Sequence, residues 1–306
     1  MSWSTSDIPD LTGRRVLVTG ATSGLGYETA LELLRHGAEV TIAARNPEKS
    51  QQAAASLAAA SGRPQPAILD LDLADLAGVE TAAERFAEKH EHLDILVNNA
   101  GVMAPPYRQT VDGFELQVGT NHLGHFALTA RLMPLLLKAA IPRVVTVSSI
   151  MHKTVNSIRQ GDLRAENGYA KWDAYGKSKL ANLLFMLELD RRARAAGSNL
   201  TSVSSHPGYA RTHLQASGPQ LGGVNLEARL LAIGTKIVAQ SARAGAWPSL
   251  YAATAPEVRS GSYYGPSFLE FRGKPKLVHP TKAAQNPQLA QQLWAWSVEA
   301  TGVNAF

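Results

Sequence analysis

Apolar and polar residues along the first two thirds of the chain follow two alternating patterns. Short runs such as RRVLVTG (14–20) and PRVVTVSS (142–149) are apolar at most positions, which is typical of strands buried on both faces of a sheet. Longer segments between such runs carry apolar residues at helical spacing, as in LGYETALELLRHG, which Gly37 closes. The pattern predicts strands at 14–20, 38–45, 66–73, 93–99, 142–149 and 199–208, and helices at 25–37, 47–61, 74–90, roughly 112–140 and 172–197.

The positions of three prolines refine the predicted helices. Pro47 is suited to open the helix at 47–61, because its fixed φ fits the first helical turn. Pro134 is expected either to kink the helix at 112–140 or to mark its late portion. Pro248, within SARAGAWPSLYAAT, is expected either to bend that helix or to mark its true start. The C-terminal PQLAQQLWAWSVEATG is predicted to be a packed helix with its tryptophans in the core.

The order of these elements predicts the fold class. Strands that alternate with helices form a parallel sheet, and right-handed crossovers then favour a doubly wound sheet. The chain of 306 residues has no internal repeat and no linker-like stretch, so we predict one α/β domain, 1–306, with about seven strands. Within it we expect a core at 10–212, a small helical segment at 213–240, and C-terminal helices with the last strand at 241–306.

Composition excludes several classes of function. The chain has no cysteine, which removes disulfides, thiolate nucleophiles and cysteine-ligated zinc and agrees with a cytoplasmic location. No run reaches the roughly 18 apolar residues that cross a bilayer. The net charge of +5 is scattered, and RRARAAG (191–197) is interpreted as a solvated helix end rather than a nucleic-acid patch. His122 and His125 have a spacing that can bind metal, but without a third ligand nearby we predict no metal site.

The turn between the first strand and the first helix is TGATSGLG, Thr19 to Gly26. Its glycines leave room for a close backbone approach, and the following helix points its N–H groups and positive end at the turn. A glycine-rich turn alone also occurs in tight loops that bind nothing. Its position after the first strand of an alternating chain favours a site for the pyrophosphate of a dinucleotide. The spacing is GxxxGxG rather than GxGxxG.

Six short motifs follow one another along the chain: TGxxxGxG at 19–26, NNAG at 98–101, the asparagine of TNHLGHF (Asn121), the serine of VTVSS (145–149), YxxxK at Tyr175 and Lys179, and PG at 207–208. Their order is typical of the short-chain dehydrogenase/reductase family, and the chain resembles that family over nearly its whole length. The residues around the motifs are most similar to its retinol-dehydrogenase-like branch, with that branch's bacterial relatives. The resemblance implies a Rossmann-type fold that binds a nicotinamide dinucleotide.

Tyr175 and Lys179 lie four residues apart in a predicted helix, so both side chains project from one face. An ordinary surface pair is the alternative interpretation. A phenol with a pKa of about 10 exchanges protons more readily at neutral pH when an ammonium stabilises the phenolate. We therefore predict Tyr175 as the acid/base and Lys179 as the group that lowers its pKa. The resemblance adds that Lys179 holds the hydroxyls of the nicotinamide ribose.

Ser148 and Ser149 compete for a second catalytic role. A hydroxyl at the end of the fifth strand can hydrogen-bond the oxygen of a carbonyl substrate as negative charge develops there. Strand alternation places the two serines on opposite faces, so one of them should point into the site, and the family pattern favours Ser149. The resemblance also implies that Asn121 shapes its helix and holds a water that relays protons to Lys179. An asparagine bonded only to backbone is the alternative.

The end of the second strand, TIAARN, bears on the choice of cofactor. Ala44 stands where NAD-dependent enzymes of this fold carry an acid for the 2′-hydroxyl, and the guanidinium of Arg45 suits a 2′-phosphate. We predict NADP(H) over NAD(H), with a mere surface arginine as the alternative. Asp72 matches the aspartate that contacts the adenine amino group, and Asp70 competes with it. The residues implied to contact the cofactor are Gly20, Thr22, Ser23, Gly24, Leu25, Gly26, Arg45, Asn46, Asp72, Leu73, Asn99, Ala100, Gly101, Tyr175, Lys179, Pro207, Gly208 and Thr212.

Residues 213–240 do not fit the sheet pattern. The resemblance implies that this region caps the substrate, and its apolar face predicts a lipophilic aldehyde, ketone or alcohol. Contact with a membrane surface or a second subunit is the alternative. The apolar residues at helical spacing are Leu226, Leu230, Ile233 and Ile237.

These expectations combine into one function, an NADP(H)-dependent carbonyl reductase or alcohol dehydrogenase of the EC 1.1.1 type. One alternative is reduction of a C=C bond on the same scaffold. Another is a dinucleotide-binding regulator without turnover, against which the presence of all four catalytic candidates argues. We expect a small-molecule substrate and no nucleic-acid partner. The resemblance implies a homodimer or homotetramer formed through the fourth and fifth helices.

Overall fold

Seven parallel strands and one antiparallel strand form a single sheet in the computed structural model, which describes residues 3–209 and 240–306. The strand order is β3-β2-β1-β4-β5-β6-β7-β8, and only β8 runs antiparallel to its neighbour. The order reverses between β1 and β4, which is where doubly wound sheets bind ligands. The strands are β1 (Arg15–Thr19), β2 (Glu39–Ala44), β3 (Ala67–Asp70), β4 (Ile95–Asn98), β5 (Arg143–Val147), β6 (Thr201–Ser205), β7 (Tyr263–Phe268) and β8 (Arg272–Leu277).

Helices cover both faces of the sheet. One face is packed by α1, α2 and α7, and the other by α3, α5, α6 and α8. No helix within 3–209 or 240–306 is both long enough and apolar enough to cross a membrane. The helices are α1 (Gly24–Arg35), α2 (Pro47–Ser61), α3 (Leu76–Lys89), α4 (Leu116–Val118), α5 (Gly124–Leu136), α6 (Lys171–Ala195), α7 (Ala242–Thr254) and α8 (Pro287–Thr301), with a π-helical turn, Gly119–Leu123, joining α4 to α5.

Side-chain caps explain where several helices begin. Asn46 accepts a hydrogen bond from the backbone N–H of Lys49, and Pro47 follows it as the first residue of α2. Asp75 caps α3 in the same way by accepting from the N–H of Gly78, and Asn286 caps α8. Each bond satisfies an N–H group that the helix itself leaves unpaired. The predicted starts of these helices therefore agree with the structure to within about two residues.

Helix α8 covers the surface that α5 and α6 form together. Trp294 is 3% exposed, and its ring lies 4.9 Å from that of Phe126 and 5.9 Å from that of Phe185. Its indole N–H donates to Asn304 Oδ1 at 3.0 Å, and the guanidinium of Arg192 lies 4.5 Å from its ring centre. A buried tryptophan with its N–H satisfied is a strong anchor. The prediction that this C-terminal helix packs with its tryptophan in the core is confirmed for Trp294.

The hairpin of β7 and β8 has a tight turn without glycine at its centre. Leu269 and Glu270 both have positive φ, 49° and 62°, and the N–H of Phe271 donates to Phe268 O at 3.0 Å, as in a type I′ turn. Such a backbone costs a non-glycine residue roughly 1–2 kcal/mol. Lys153 donates to both carboxylate oxygens of Glu270 at 2.8 Å, which holds the turn against the segment after β5.

Three features of the fold differ from the sequence prediction. The sheet has eight strands within the described residues rather than about seven, because β8 adds an antiparallel edge. Pro248 lies inside α7, so the alternative that it marks the start of that helix is wrong. The helix predicted at 112–140 begins at Leu116, is interrupted by the π-helical turn, and ends at Leu136, two residues after Pro134. The helix predicted within 213–240 lies outside the described residues, Gln240 excepted.

Candidate active site

The six motifs that carry the family resemblance lie at one edge of the sheet. Because the strands from β1 to β7 are parallel, their carboxyl ends meet at the same edge. The glycine-rich turn follows β1, NNAG follows β4, the two serines follow β5, and PG follows β6. Thr212, which the sequence also predicts to contact the cofactor, lies outside the described residues.

Two glycines of the glycine-rich turn lie too close to neighbouring atoms to carry a side chain. Gly20 has φ 68°, which favours glycine, and a Cβ at this position would lie 2.9 Å from the Cα of Ala100. A Cβ on Gly26 would overlap the carbonyl oxygen of Gly20. Ser23 is the N-cap of α1 and makes no side-chain capping bond, so the first N–H groups of this helix are not capped by it. Such a helix end can bind a pyrophosphate.

The NNAG segment is fastened to β1 by Thr19. Its hydroxyl accepts from the N–H groups of Asn99 and Ala100 at 2.9 and 3.0 Å. Asn99 Nδ2 in turn donates to Thr19 O at 2.8 Å. Gly101 lies at the centre of the site, since a Cβ there would be 3.0 Å from Asn121 Oδ1 and 3.6 Å from Lys179 Nζ. The predicted residues Asn99, Ala100 and Gly101 thus form one wall between the glycine-rich turn and α6.

Tyr175 and Lys179 project from α6 into the same site. Tyr175 is 5% exposed and Lys179 is 3% exposed, so the pair is not a solvated surface pair. Lys179 Nζ lies 5.8 Å from the centre of the Tyr175 ring and donates to Val147 O, at the end of β5, at 3.1 Å. The ring of Trp172 packs edge-on against that of Tyr175 at 6.4 Å. Helical spacing brings the phenol and the ammonium together, as the sequence predicts.

The pKa values of this pair differ from the sequence expectation. Burial raises the pKa of Tyr175 to about 12, and the interaction with the Ser149 hydroxyl lowers it only in part. Burial also lowers the pKa of Lys179 to about 8. Desolvation by burial therefore dominates the pKa of Tyr175, in the direction opposite to the lowering that the sequence predicts from Lys179.

Ser148 and Ser149 have different neighbours, as strand alternation predicts. Ser148 Oγ donates to Lys179 O at 2.8 Å, so it fastens α6 to β5. Ser149 interacts with the Tyr175 hydroxyl and accepts a hydrogen bond from Met151 N at 3.2 Å. This geometry places Ser149 beside Tyr175 and gives Ser148 a structural contact.

Asn121 lies in the π-helical turn and is fully buried. Its side-chain oxygen accepts from Val102 N at 2.7 Å, and its amide donates to Val102 O at 3.0 Å and to Ser178 Oγ at 2.9 Å. The side chain therefore links the end of the NNAG segment to α6, one residue before Lys179. π-Helical turns are frequent at functional sites.

His122 and His125 have unrelated partners. His122 Nε2 bonds Ser297 Oγ on α8 at 2.8 Å, whereas His125 Nε2 bonds Thr19 Oγ1 on β1 at 2.9 Å. Across 3–209 and 240–306 no group of three His, Asp or Glu side chains is arranged to hold a metal ion. His206 is fully buried after β6 and accepts from the N–H of Gly208 through Nδ1 at 3.2 Å.

The predicted adenosine end of the site is more open. Arg45 is exposed at the end of β2, next to the half-buried Ala44. Asp72 is half-buried and accepts from Ala74 N at 3.0 Å, whereas Asp70 is exposed at the end of β3.

The other predicted cofactor contacts have varied surroundings. Asn46 uses its side-chain oxygen to cap α2, and Leu73 is buried. In the glycine-rich turn Thr22, Gly24 and Leu25 are half-buried and Ser23 is exposed. After β6, Pro207 O accepts from Gln240 Nε2 at 2.7 Å, and Gly208 has φ 65°.

The residues at this edge fit a nicotinamide dinucleotide. The backbone of Gly101 closely approaches Asn121 and Lys179 without a side chain of its own. The start of α1 offers N–H groups for phosphate, and Arg45 offers an exposed cation. The buried phenol can exchange a proton with a substrate oxygen, and the ammonium can stabilise the phenolate that results. The sequence did not predict His125 as a contact of the glycine-rich turn, although its spacing of four residues from Asn121 was available as a signal.

Comparison with known proteins agrees with this geometry. The family model described as short chain dehydrogenase matches residues 14–220. Retinol dehydrogenase 12 of Mus musculus is 39% identical over 293 residues, which cover 95% of this chain and 87% of that protein. Retinol dehydrogenase 14 of Homo sapiens is 38% identical over 306 residues, with 95% of this chain and 87% of that protein covered.

Two solved structures extend the comparison. A crystal structure of an uncharacterized protein from Mycobacterium paratuberculosis has a TM-score of 0.81 and 41% identity, and the match covers 100% of each chain. A short chain dehydrogenase of Shigella flexneri 2a, solved in complex with NADP, has a TM-score of 0.63 and 27% identity, covering 83% of this chain and 97% of that chain. The chain therefore belongs to the short-chain dehydrogenase/reductase family of oxidoreductases and is retinol-dehydrogenase-like.

Proposed function

We propose that the chain interconverts a lipophilic aldehyde or ketone and the corresponding alcohol, with NADP(H) as the hydride carrier. The observation that carries the proposal is the buried Tyr175, which lies beside Ser149 and Lys179 at the edge of the sheet that binds ligands in this fold. The names of the retinol dehydrogenases support an alcohol or aldehyde substrate. Their sequences match this chain over most of its length.

Each candidate catalytic side chain has a separate role in this reaction. A bound reduced nicotinamide supplies the hydride that a carbonyl carbon accepts. Tyr175 donates its hydroxyl proton to the carbonyl oxygen as negative charge develops there, and takes it back in the alcohol-to-carbonyl direction. The Ser149 hydroxyl hydrogen-bonds the same oxygen, and the buried positive charge of Lys179 stabilises the Tyr175 phenolate that results. Asn121 keeps α6 and the NNAG segment in register through Ser178 and Val102.

Arg45 is the residue on which the preference for NADP(H) depends. In Arg45→Asp, we expect the ratio of kcat/KM for NADPH to that for NADH to fall by about 10–100-fold, because a charge-assisted bond to the 2′-phosphate is lost and a carboxylate repels it. Steady-state kinetics with both cofactors measure the ratio. Arg85→Asp, which changes the same charge at an exposed position on α3, is the control and should leave the ratio unchanged. An unaltered ratio in Arg45→Asp would remove Arg45 from the cofactor site.

The pH dependence of reduction should follow Lys179. Its pKa is lowered to about 8 by burial, whereas that of Tyr175 is about 12, so only the lysine loses its proton between pH 7 and 10. Loss of the ammonium removes the charge that stabilises the phenolate, and we expect kcat for carbonyl reduction to decline as the pH rises through about 8. Lys179→Arg keeps its charge throughout this range, so its residual kcat should show no such decline. A wild-type profile flat to pH 10 would contradict the role of Lys179.

One assay tests the proposed function against its two alternatives. The purified protein is mixed with NADPH or NADH and with panels of lipophilic aldehydes, ketones and enones, and absorbance of the reduced nicotinamide is followed. Reduction of the aldehydes or ketones to alcohols supports the proposal. Product analysis that shows only saturated C=C bonds would instead indicate an enone reductase. Tight binding of dinucleotide without turnover on any panel would indicate a regulator.

A further inference from the structure

His125 makes two side-chain hydrogen bonds that the proposed function does not use. It lies on the first turn of α5, just after the π-helical turn, and is 1% exposed. Its Nδ1 lies 3.0 Å from Asn121 O, and its Nε2 lies 2.9 Å from Thr19 Oγ1. The imidazole thus joins a catalytic candidate to the last residue of β1, where the glycine-rich turn begins.

The hydrogen-bond partners assign the tautomer of His125. A carbonyl oxygen can only accept, so Nδ1 carries the proton that is donated to Asn121 O. Burial lowers the pKa of His125 to about 4, so the ring is neutral at neutral pH and Nε2 is an acceptor. The Thr19 hydroxyl therefore donates to Nε2.

This assignment completes the bonding of Thr19. The oxygen of Thr19 accepts from the N–H groups of Asn99 and Ala100, so both of its lone pairs are occupied. Its single proton goes to His125 at 2.9 Å rather than to Val97 O at 3.3 Å. The chain of bonds runs without a gap from the NNAG backbone through Thr19 and His125 to the carbonyl of Asn121.

The other end of this chain of bonds reaches α6. Asn121 donates through its side chain to Ser178, the residue before Lys179. It also clamps Val102 through both amide atoms. A shift of the Asn121 carbonyl within the π-helical turn would therefore move the Asn121 side-chain amide and, through Ser178, the part of α6 that carries Lys179.

We propose that His125 is a positioning residue with two separable effects, in which its Nδ1–H orients Asn121 for the proton-transfer step and its Nε2 orients Thr19 for dinucleotide binding. The proposal rests on the proposed function for its first effect only. Its second effect is measured by binding alone, so a failure of the reaction assignment and a failure of the His125 assignment are distinguishable.

Two amide variants separate the two bonds. In His125→Asn, the side-chain amide can occupy the place of Nδ1–H and keep the bond to Asn121, while nothing reaches Thr19. In His125→Gln, the side-chain oxygen can occupy the place of Nε2 and keep the bond from Thr19, while nothing donates to Asn121. Loss of one of these buried hydrogen bonds is expected to change the property that the bond supports by about tenfold.

The experiment measures the dissociation constant for NADPH by titration without substrate, and kcat with a saturating aldehyde. We expect His125→Asn to weaken NADPH binding about tenfold with kcat within about threefold of wild type. We expect His125→Gln to lower kcat about tenfold with NADPH binding within about threefold. His122→Asn is the matched control: it breaks the bond of a second buried histidine, to Ser297 on α8, and should lower Tm without changing either property.

A different pattern would overturn the proposal. If both variants change binding and kcat together, in proportion to their loss of Tm, His125 has only a structural role. If neither property changes in either variant, the two bonds have no positioning effect. If wild type turns over no aldehyde but His125→Asn still weakens NADPH binding and His125→Gln does not, the Thr19 effect stands and the reaction assignment fails.

Discussion

Replacing Tyr175 by phenylalanine is expected to lower kcat for carbonyl reduction by about 10²–10⁴-fold, the usual contribution of a general acid. The ring is buried beside Trp172 and is retained in the variant, so the packing of α6 should change little. Only the proton donor is lost. The measurement is kcat with an aldehyde that wild type reduces, at a saturating concentration of NADPH.

Two controls separate the loss of the proton donor from other effects of the substitution. The dissociation constant for NADPH should stay within about threefold of wild type, because a single neutral hydroxyl contributes little to a charged ligand of this size. Tyr251→Phe removes a phenolic hydroxyl on α7, where it donates to Glu257 at 2.9 Å, and should leave kcat unchanged. Retention of more than about a tenth of wild-type kcat in Tyr175→Phe would contradict the assignment of Tyr175 as the acid.

The free energy of unfolding is expected to fall steeply when the pH is lowered from 7 to 5. Burial lowers the pKa of His122 to about 3, and those of His125 and His152 to about 4, while in the unfolded chain the pKa is about 6.5. Below pH 6.5 the unfolded state therefore binds protons that the folded state does not, and stability is lost as the pH falls. At pH 5 each histidine costs about 2 kcal/mol, or about 6 kcal/mol for the three.

Denaturant unfolding at pH 7 and pH 5 measures this loss. About 6 kcal/mol is comparable with the whole stability of many domains, so the transition midpoint should move far to lower denaturant. His122→Gln, which can keep a donor to Ser297 without titrating, should reduce the loss by about one third. Burial raises the pKa of Glu115, which acts in the opposite direction, so the loss is not enlarged by this carboxyl group. Equal stability at the two pH values would show that these histidines are charged in the folded state.

The arrangement of the site was predictable because each motif follows a strand of one parallel sheet. Once the alternation of strands and helices was recognised, Gly20, Asn99 and Ser149 had to meet at the carboxyl edge. The alternation of side chains at the end of β5 predicts that either Ser148 or Ser149 faces the site, and the family pattern favours Ser149. The structure gives Ser148 a bond to Lys179 O and places Ser149 beside Tyr175.

Other features depend on contacts that local sequence does not carry. The turn at Leu269 and Glu270 lacks the Asn-Gly or Gly-Gly signal of a type I′ hairpin, and its carboxylate is held instead by Lys153, more than a hundred residues away. The pKa of Tyr175 could not be predicted from its spacing to Lys179, because burial depends on the whole fold. The π-helical turn around Asn121 has no composition signal of its own, so it was predicted as ordinary helix.

The position of α8 has a consequence for assembly. The resemblance implied that subunits associate through the fourth and fifth predicted helices, which correspond here to α5 and α6. In this chain Trp294 packs against Phe126 and Phe185 on those helices, and Ser297 of α8 bonds His122. The part of α5 and α6 around these rings is therefore covered by the chain's own final helix. A second subunit that approached this part of the surface would contact α8 rather than α5 and α6.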